Sequence, residues 1–409
     1  MMQRGMLRKI VQTVGMRYVV ALLNLALIFI NAKILGAEGM GLAGIVVASV
    51  GLVTVACSVL CGNTIVYYMN RFPAAAVVRS AYGWALVASL VTSLLLFALG
   101  MVPTGFELHI FFLALLQTSV AINSRFLLAI DRVWLFNQAF FLQGGTLFFF
   151  VSFFYFVLKM RDVHAYVYAI YMANALACAV STYHLLRFLR TMKPKNPELL
   201  PPFFRIFKEM FAYGLWAGVD NLAENCCTRI NYFLLQHFAG LGSVGLLDAG
   251  TRISESVFHI SRSVSFLAYG EVARTNVAEE QRKIASNMFK TTVLALTVAM
   301  LLILLLPEWV YTDYLFSQEF VGVKHVIAAL AAGIVALGSN SILSHFFIGT
   351  GRVRTSATCS VIGLCVLLVA GLFLIPQQGA LGAALSSSIA FGSMLLFSLH
   401  RFHFFAKTE

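Results

Sequence analysis

The chain has 409 residues, 60% hydrophobic and only 11% charged, with a mean hydropathy of +0.86. Soluble domains carry about 25% charged residues, so a soluble multidomain enzyme is excluded and an integral membrane protein is indicated. The net charge of +12 would suggest nucleic acid in a soluble chain; here its placement argues against a nucleic-acid partner.

Apolar runs near the length of one membrane crossing recur along the whole chain, as helices and not as the alternating pattern of a membrane barrel. They predict twelve spans: 9–32, 40–69, 80–102, 107–130, 134–158, 164–189, 209–237, 242–270, 284–306, 321–349, 355–375 and 379–401. Span 1 runs on to Asn31 with no small-residue cleavage site behind a short core, so it reads as a retained span and not a signal peptide. Within it Thr13, Arg17, Asn24 and Asn31 are spaced by four, seven and seven residues, which puts them on one helix face.

The connections are short. The longest, at 191–208, carries Pro194, Pro197, Pro201 and Pro202 and enters span 7 through an interfacial segment, Phe203 to Lys208. No connection has room for a soluble catalytic domain. Most of the 29 Lys and Arg residues fall on the side of the N-terminus, and only Lys33, Lys159, Arg161 and Lys324 fall in loops on the other. By the positive-inside rule both termini are cytoplasmic. Trp84, Trp134, Trp216 and Trp309 lie mostly near span ends, as interface anchors do. The seven cysteines sit inside apolar segments and read as reduced packing residues; Cys57 and Cys61 share a face but lack the His partners of a metal site.

Two short motifs recur. Gly36-Ala-Glu-Gly-Met-Gly41-Leu42 matches Gly240-Leu-Gly-Ser-Val-Gly245-Leu246, and Phe126 to Val133 matches Phe346 to Val353. Six spans separate each pair, an even number, so equivalent helices run in the same direction. A parallel duplication follows, with a site expected at the repeat interface. The fold class is an all-α integral membrane protein: twelve transmembrane helices in two six-helix lobes, 1–190 and 209–409, related by a parallel pseudo-two-fold repeat and joined by a cytoplasmic linker at 191–208.

Span 7 is polar on half its wheel, where Asp220, Asn221, Glu224, Asn225, Thr228, Arg229, Asn231 and Gln236 lie. Span 8 carries a stripe of Asp248, Arg252, Glu255, His259 and Arg262, spaced four, three, four and three, within about 80° of one face. Ionisable groups at membrane depth are costly and face a bundle interior or a wet cavity. Spans 1, 7 and 8 are therefore expected to line one cavity. Its candidate cations are Arg17, Arg229, Arg252 and Arg262, a residue type suited to gripping phosphate in two places at once. Its acids are Asp220, Glu224, Asp248 and Glu255, expected to hold the arginines at rest or to bind a coupling proton or sodium ion. His259 and His345 could titrate near neutral pH. A plainer alternative is that Asp248–Arg252, and Glu255 with His259 or Arg262, are only intrahelical pairs. Asn340, Ser341, Ser344 and His345 in span 10, and the small residues of 381–388, read as helix packing. No nucleotide loop, zinc motif or nucleophile–base arrangement is present in the sequence, so neither enzyme chemistry nor a cofactor is expected, and transport would run on gradients.

The chain resembles the multidrug/oligosaccharidyl-lipid/polysaccharide (MOP) flippase superfamily. The resemblance rests on the span count, on Leu35-Gly36-Ala37-Glu38-Gly39-Met40-Gly41, on Gly349-Thr-Gly351-Arg352-Val353, and on Gly379-Ala-Leu-Gly382-Ala-Ala after Pro376. It is nearest to the Wzx-like polysaccharide flippases of the bacterial inner membrane. The resemblance implies alternating access and transfer of an undecaprenyl-pyrophosphate-linked oligosaccharide from the cytoplasmic to the periplasmic leaflet. It implies a cationic cavity, to which Arg17, Asn24, Arg229, Arg252, His259 and Arg262 are assigned, and leaves room for a partner polysaccharide polymerase. A lipid II flippase of the MurJ type would carry two more helices than are read here. A MATE drug exporter would be expected to place an acid in span 1, which has none. A membrane-embedded transferase would need a larger outer loop than 307–320.

Overall fold

Glycines mark where the long apolar stretches double back. Residues 2–69, 71–191, 202–274 and 277–405 are described in a computed structural model. In chain order the helices are α1 (Met2–Cys61), α2 (Asn63–Tyr68), α3 (Ala74–Ala98), α4 (Glu107–Ala129), α5 (Val133–Ser152), α6 (Val163–Thr191), α7 (Phe203–Arg274), α8 (Ala278–Leu305), α9 (Val323–Gly349) and α10 (Val353–Phe405). Among the described residues nine helical stretches are long and apolar enough to cross a membrane, and three of them, Val19–Tyr68, Gly218–Phe258 and Val353–Phe404, run to 50, 41 and 52 residues. One crossing takes about 20 residues. Each of the three is interrupted by a glycine outside helical geometry: Gly36 (φ 68°), Gly240 (φ 78°) and Gly379 (φ 54°). An L side chain disfavours this left-handed region, so the helix breaks where glycine permits it. The chain is a multi-pass membrane protein.

Contacts show that two of these stretches fold back on themselves. Across Gly240, Tyr232 meets Asp248 and Arg229 meets Glu255. Across Gly379, the Cys359 thiol reaches the Met394 carbonyl at 3.2 Å, and Gly382 lies against the Leu374 carbonyl. Both are antiparallel pairs.

Local breaks depart from the sequence boundaries for identifiable reasons. Span 2, expected to continue to residue 69, ends as a helix at Cys61 and resumes after Gly62 as the short α2. The next helix starts directly after Pro73, which cannot continue a preceding helix but suits a helix start. Span 5 finishes in a π turn, Phe153–Val157. Asp162 caps α6, its carboxylate accepting the Ala165 amide at 2.8 Å. Glu279 and Glu280 sit in the first turn of α8, where the helix dipole favours acids. Only the ends of the 191–208 linker belong to the described residues; 192–201 lie outside them.

The internal repeat is written into backbone geometry as well as sequence. Gly36 and Gly240 break their helices with nearly the same angles. At the second motif Asp131 (φ 57°) and Gly351 (φ 78°) take the same left-handed turn. The Arg132 amide donates to the Leu127 carbonyl at 2.9 Å and the Arg352 amide to Phe347 at 2.7 Å. These are equivalent helix-ending Schellman bonds. Lys159 and Gly379 are a further left-handed pair at the spacing that separates Asp131 from Gly351.

The chain packs as two compact units, one of residues 1–27 and 46–218, the other of 28–45 and 219–409. In the first, the N-terminal turns of α7 pack onto the end of span 2. Ile206 and Met210 join Cys57, Leu60, Cys61 and Ile65 in one buried cluster, and Tyr68 donates to the Glu209 carbonyl at 3.0 Å. In the second, residues 28–45 pack with the C-terminal half of the chain.

Within that second unit the repeated motifs meet reciprocally. A Cβ on Gly41 would strike the Leu241 carbonyl, and a Cβ on Gly245 would strike the Ala37 carbonyl. The residue numbers exchange under the repeat offset, so this contact is itself two-fold. Only small residues let two helix backbones approach so closely.

Candidate functional site

Span 7 and span 8 are the two arms of the α7 hairpin, so the antiparallel fold at Gly240 brings their polar stripes face to face. Asp248 is 1% exposed. Its Oδ2 accepts the Arg252 Nε at 2.7 Å and its Oδ1 accepts the Tyr232 hydroxyl at 2.9 Å. That same hydroxyl accepts a hydrogen bond from the Arg229 guanidinium at 3.1 Å, and Arg229 also donates to Glu255 Oε2 at 3.1 Å. The result is one unbroken chain of groups: Glu255, Arg229, Tyr232, Asp248, Arg252. The Arg229 guanidinium further lies 5.6 Å from the Tyr232 ring centroid, within cation–π range.

Two guanidinium groups and two carboxylates balance in charge, and Tyr232 links them by donating to one side and accepting from the other. A charge buried at this depth is tolerated only when paired and hydrogen-bonded. The arginine side chains stay partly open, 29% exposed for Arg229 and 26% for Arg252, while Asp248 is sealed. Glu255 is as open as the two arginines, at 27%, so Asp248 is the one member of these ion pairs that is sealed. A phosphate group can take a guanidinium in two places at once, as a carboxylate does.

The other sequence-predicted residues are dispersed. Asp220 faces α10, its two carboxylate oxygens accepting Ser360 at 2.7 Å and Ser356 at 2.9 Å. Glu224 is half-buried one turn further along α7. Asn231 is fully buried and donates to the Ala383 carbonyl at 2.9 Å and to the Ser387 hydroxyl at 2.8 Å, which gives the serine-rich 381–388 stretch a polar partner. Asn24 is exposed and lies in the other compact unit, near Gly144. The side chains of Arg17, His259 and Arg262 lie outside the described residues. Glu255 pairs across the hairpin with Arg229, whereas Asp248–Arg252 is an intrahelical pair. The sequence reading missed Tyr232, Ser356 and Ser360. The serine pair stands at i,i+4, a spacing that presents two hydroxyls to one acceptor, and was the available signal.

Beside the network lies a cavity of about 20 Å³, room for a single water-sized occupant. Thr228, Asn231, Thr251, Glu255 and Ser387 supply its polar wall, and Leu330, Ile334 and Phe391 are among its apolar residues. It is far too small for a sugar.

Replacing Tyr232 by Phe removes the link without changing shape. Asp248 then loses a neutral donor and Arg229 an acceptor, both inside the bundle. A loss of about 1–3 kcal/mol is expected, read as a lower unfolding temperature of the purified protein in nanodiscs.

No family model matches the chain. It is 20% identical over 213 residues to the probable low-salt glycan biosynthesis flippase Agl15 of Haloferax volcanii, a match covering 50% of this chain and 44% of that protein. It is 22% identical over 200 residues to an uncharacterized membrane protein of Methanocaldococcus jannaschii, covering 48% of this chain and 39% of that one. The match therefore spans less than half the length of either curated relative. Among solved structures, an inward-facing MATE family multidrug resistance transporter of the MOP superfamily superposes with a TM-score of 0.70 at 15% identity, covering 95% of this chain and 96% of the other. The lipid II flippase MurJ in an inward closed conformation gives 0.71 at 13% identity, covering 97% and 87%. The fold is that of the MOP superfamily transporters.

Proposed function

We propose that this protein is a flippase that moves an undecaprenyl-pyrophosphate-linked oligosaccharide from the cytoplasmic to the periplasmic leaflet of a bacterial inner membrane by alternating access. The observation that carries this reading is the Glu255–Arg229–Tyr232–Asp248–Arg252 network, which holds two partly open guanidinium groups within an apolar helical hairpin. The MOP fold and the similarity to a glycan biosynthesis flippase support it.

In this reading Arg229 and Arg252 grip the pyrophosphate, with Arg17, Arg262 and His259 completing the charge and Asn24 meeting the sugar. The polyprenyl tail stays in lipid. Asp248 and Glu255 neutralise the arginines when no substrate is present. Asp220 and Glu224 are the acids available to couple the cycle to a proton or sodium gradient. The twelve-span topology, with both termini cytoplasmic, belongs to the same proposal, as does a polysaccharide polymerase as partner.

The test is a flipping assay in proteoliposomes with lipid-linked oligosaccharide, with lipid II and a cationic dye run in parallel. The expected result is movement of the oligosaccharide lipid, reduced when both proton and sodium gradients are collapsed, with no dye transport. Dye transport under an ion gradient without lipid movement would replace this reading by drug export. Movement of lipid II alone would replace it by a peptidoglycan-precursor flippase.

A further inference from the structure

The contact between residues 28–45 and the C-terminal half has two parts, and one of them rests on the charged network. At the tip, the carboxylate of Glu319 accepts the Ala37 amide at 2.7 Å. Ala37 opens the second helical arm directly after the break at Gly36, where amides have no partner within the helix. Phe29 packs edge-on against Phe316 with centroids 5.6 Å apart, and the Gly41 and Gly245 backbones touch. Two turns deeper, Gly44 lies directly on the network: a Cβ there would stand 3.3 Å from the Asp248 carboxyl carbon and 3.3 Å from the Tyr232 ring. The backbone around Gly44 thus helps exclude water from a carboxylate whose hydrogen-bond donors among the described residues are Arg252 and Tyr232.

We propose that residues 28–45 form a gate latched by Glu319 and seated on the Tyr232–Asp248 pair, and that a pyrophosphate anion captured by Arg229 and Arg252 unseats it. The proposal rests on the phosphate-binding reading above. The physical chain is short. An anion that draws Arg252 away leaves Asp248 buried with only a tyrosine hydroxyl. A buried carboxylate without a counter-ion requires water. Water reaches it when the segment at Gly44 lifts. Anion binding and gate seating therefore compete, and by linkage an unseated gate binds the anion more tightly. In the proposed topology this gate lies on the periplasmic side, so substrate loading would itself prepare release.

Glu38 and Gly242 report on the gate. A Cβ on Gly242 stands 3.9 Å from Glu38 Cγ, and Glu38 is exposed. In the Glu38→Cys/Gly242→Cys chain, diamide should form the disulfide readily while the gate is seated, with the 38–242 bond identified by mass spectrometry among the native cysteines. The measurement is made in nanodiscs with and without inorganic pyrophosphate at matched ionic strength, and calorimetry on the same samples records binding. Pyrophosphate should bind and slow the cross-link several-fold. In the Asp248→Asn background it should bind and leave the rate unchanged, since no charge is stranded. Binding without any slowing in the otherwise native chain overturns the coupling and leaves the phosphate site standing. Slowing that persists in Asp248→Asn also overturns it. Absence of binding overturns the phosphate reading and the gate proposal together.

Discussion

Arg252→Ala should sharply weaken translocation and also destabilise the protein, and the two losses should separate in the Asp248→Asn/Arg252→Ala double variant. The single change strands the Asp248 carboxylate, which is 2% exposed at its side chain and held by Arg252 at 2.7 Å. Removing one partner of a buried ion pair costs about 3–5 kcal/mol. Neutralising Asp248 in the same chain removes the stranded charge, and an amide can still accept the Tyr232 hydroxyl. Most of the stability should therefore return. Transport should not, because the guanidinium that meets the pyrophosphate is still missing. Hydrogen bonds to charged groups contribute about 1.5–3 kcal/mol, which corresponds to a drop of about 10- to 150-fold in substrate affinity. Unfolding temperature and oligosaccharide-lipid flipping, measured on the same preparations, check this. Recovery of flipping along with stability in the double variant would reduce Arg252 to a counter-ion for Asp248.

The double variant is needed because of something helical spacing alone cannot supply. The stripe on span 8 and the polar half of span 7 were legible, since period decides which residues share a face. Their partners were not. A wheel leaves the neighbouring helix unspecified, so Glu255 could be assigned to His259 or Arg262, one turn or two along its own helix, when its described partner is Arg229 on the other arm. Nor does the projection show that Arg229 and Arg252 each hold a carboxylate. Tyr232 was invisible for a different reason: in an apolar span a tyrosine is indistinguishable from packing until its hydroxyl is found between Arg229 and Asp248. The duplication was legible because it is carried by glycine, whose backbone freedom leaves a mark in sequence and in geometry alike. Gly36 and Gly240 were matched as letters and share their dihedral angles. Asp131 and Gly351 show the limit of the letters, being different residues in the same turn. Glu319 lies in a single 3-10 turn, Gln318–Phe320, and its hold on Ala37 spans 282 residues of sequence.

The reciprocal glycine contact gives the second large effect. Gly41→Val and Gly245→Val should each lower stability by about 1–3 kcal/mol, the usual range for overpacking. Each new Cβ meets a main-chain carbonyl, of Leu241 or Ala37, in the first turn after a glycine break, and a backbone carbonyl cannot swing aside as the end of a side chain can. The two helices must separate instead. That common response makes the pair strongly non-additive: once one valine has forced the arms apart, the second finds its clash already relieved. The double variant should lose clearly less than the sum of the singles, as coupled sites do. Gly242→Ala, at the residue next to Leu241 and with nothing nearer than 3.9 Å to a new Cβ, should be tolerated. Separation of the arms also predicts that the 38–242 disulfide forms slowly in either valine chain without any pyrophosphate. Thermal unfolding in nanodiscs measures the energies and the cross-link measures the geometry. Additive losses with an undisturbed cross-link would mean that the two glycines answer to separate local contacts and not to one two-fold helix crossing.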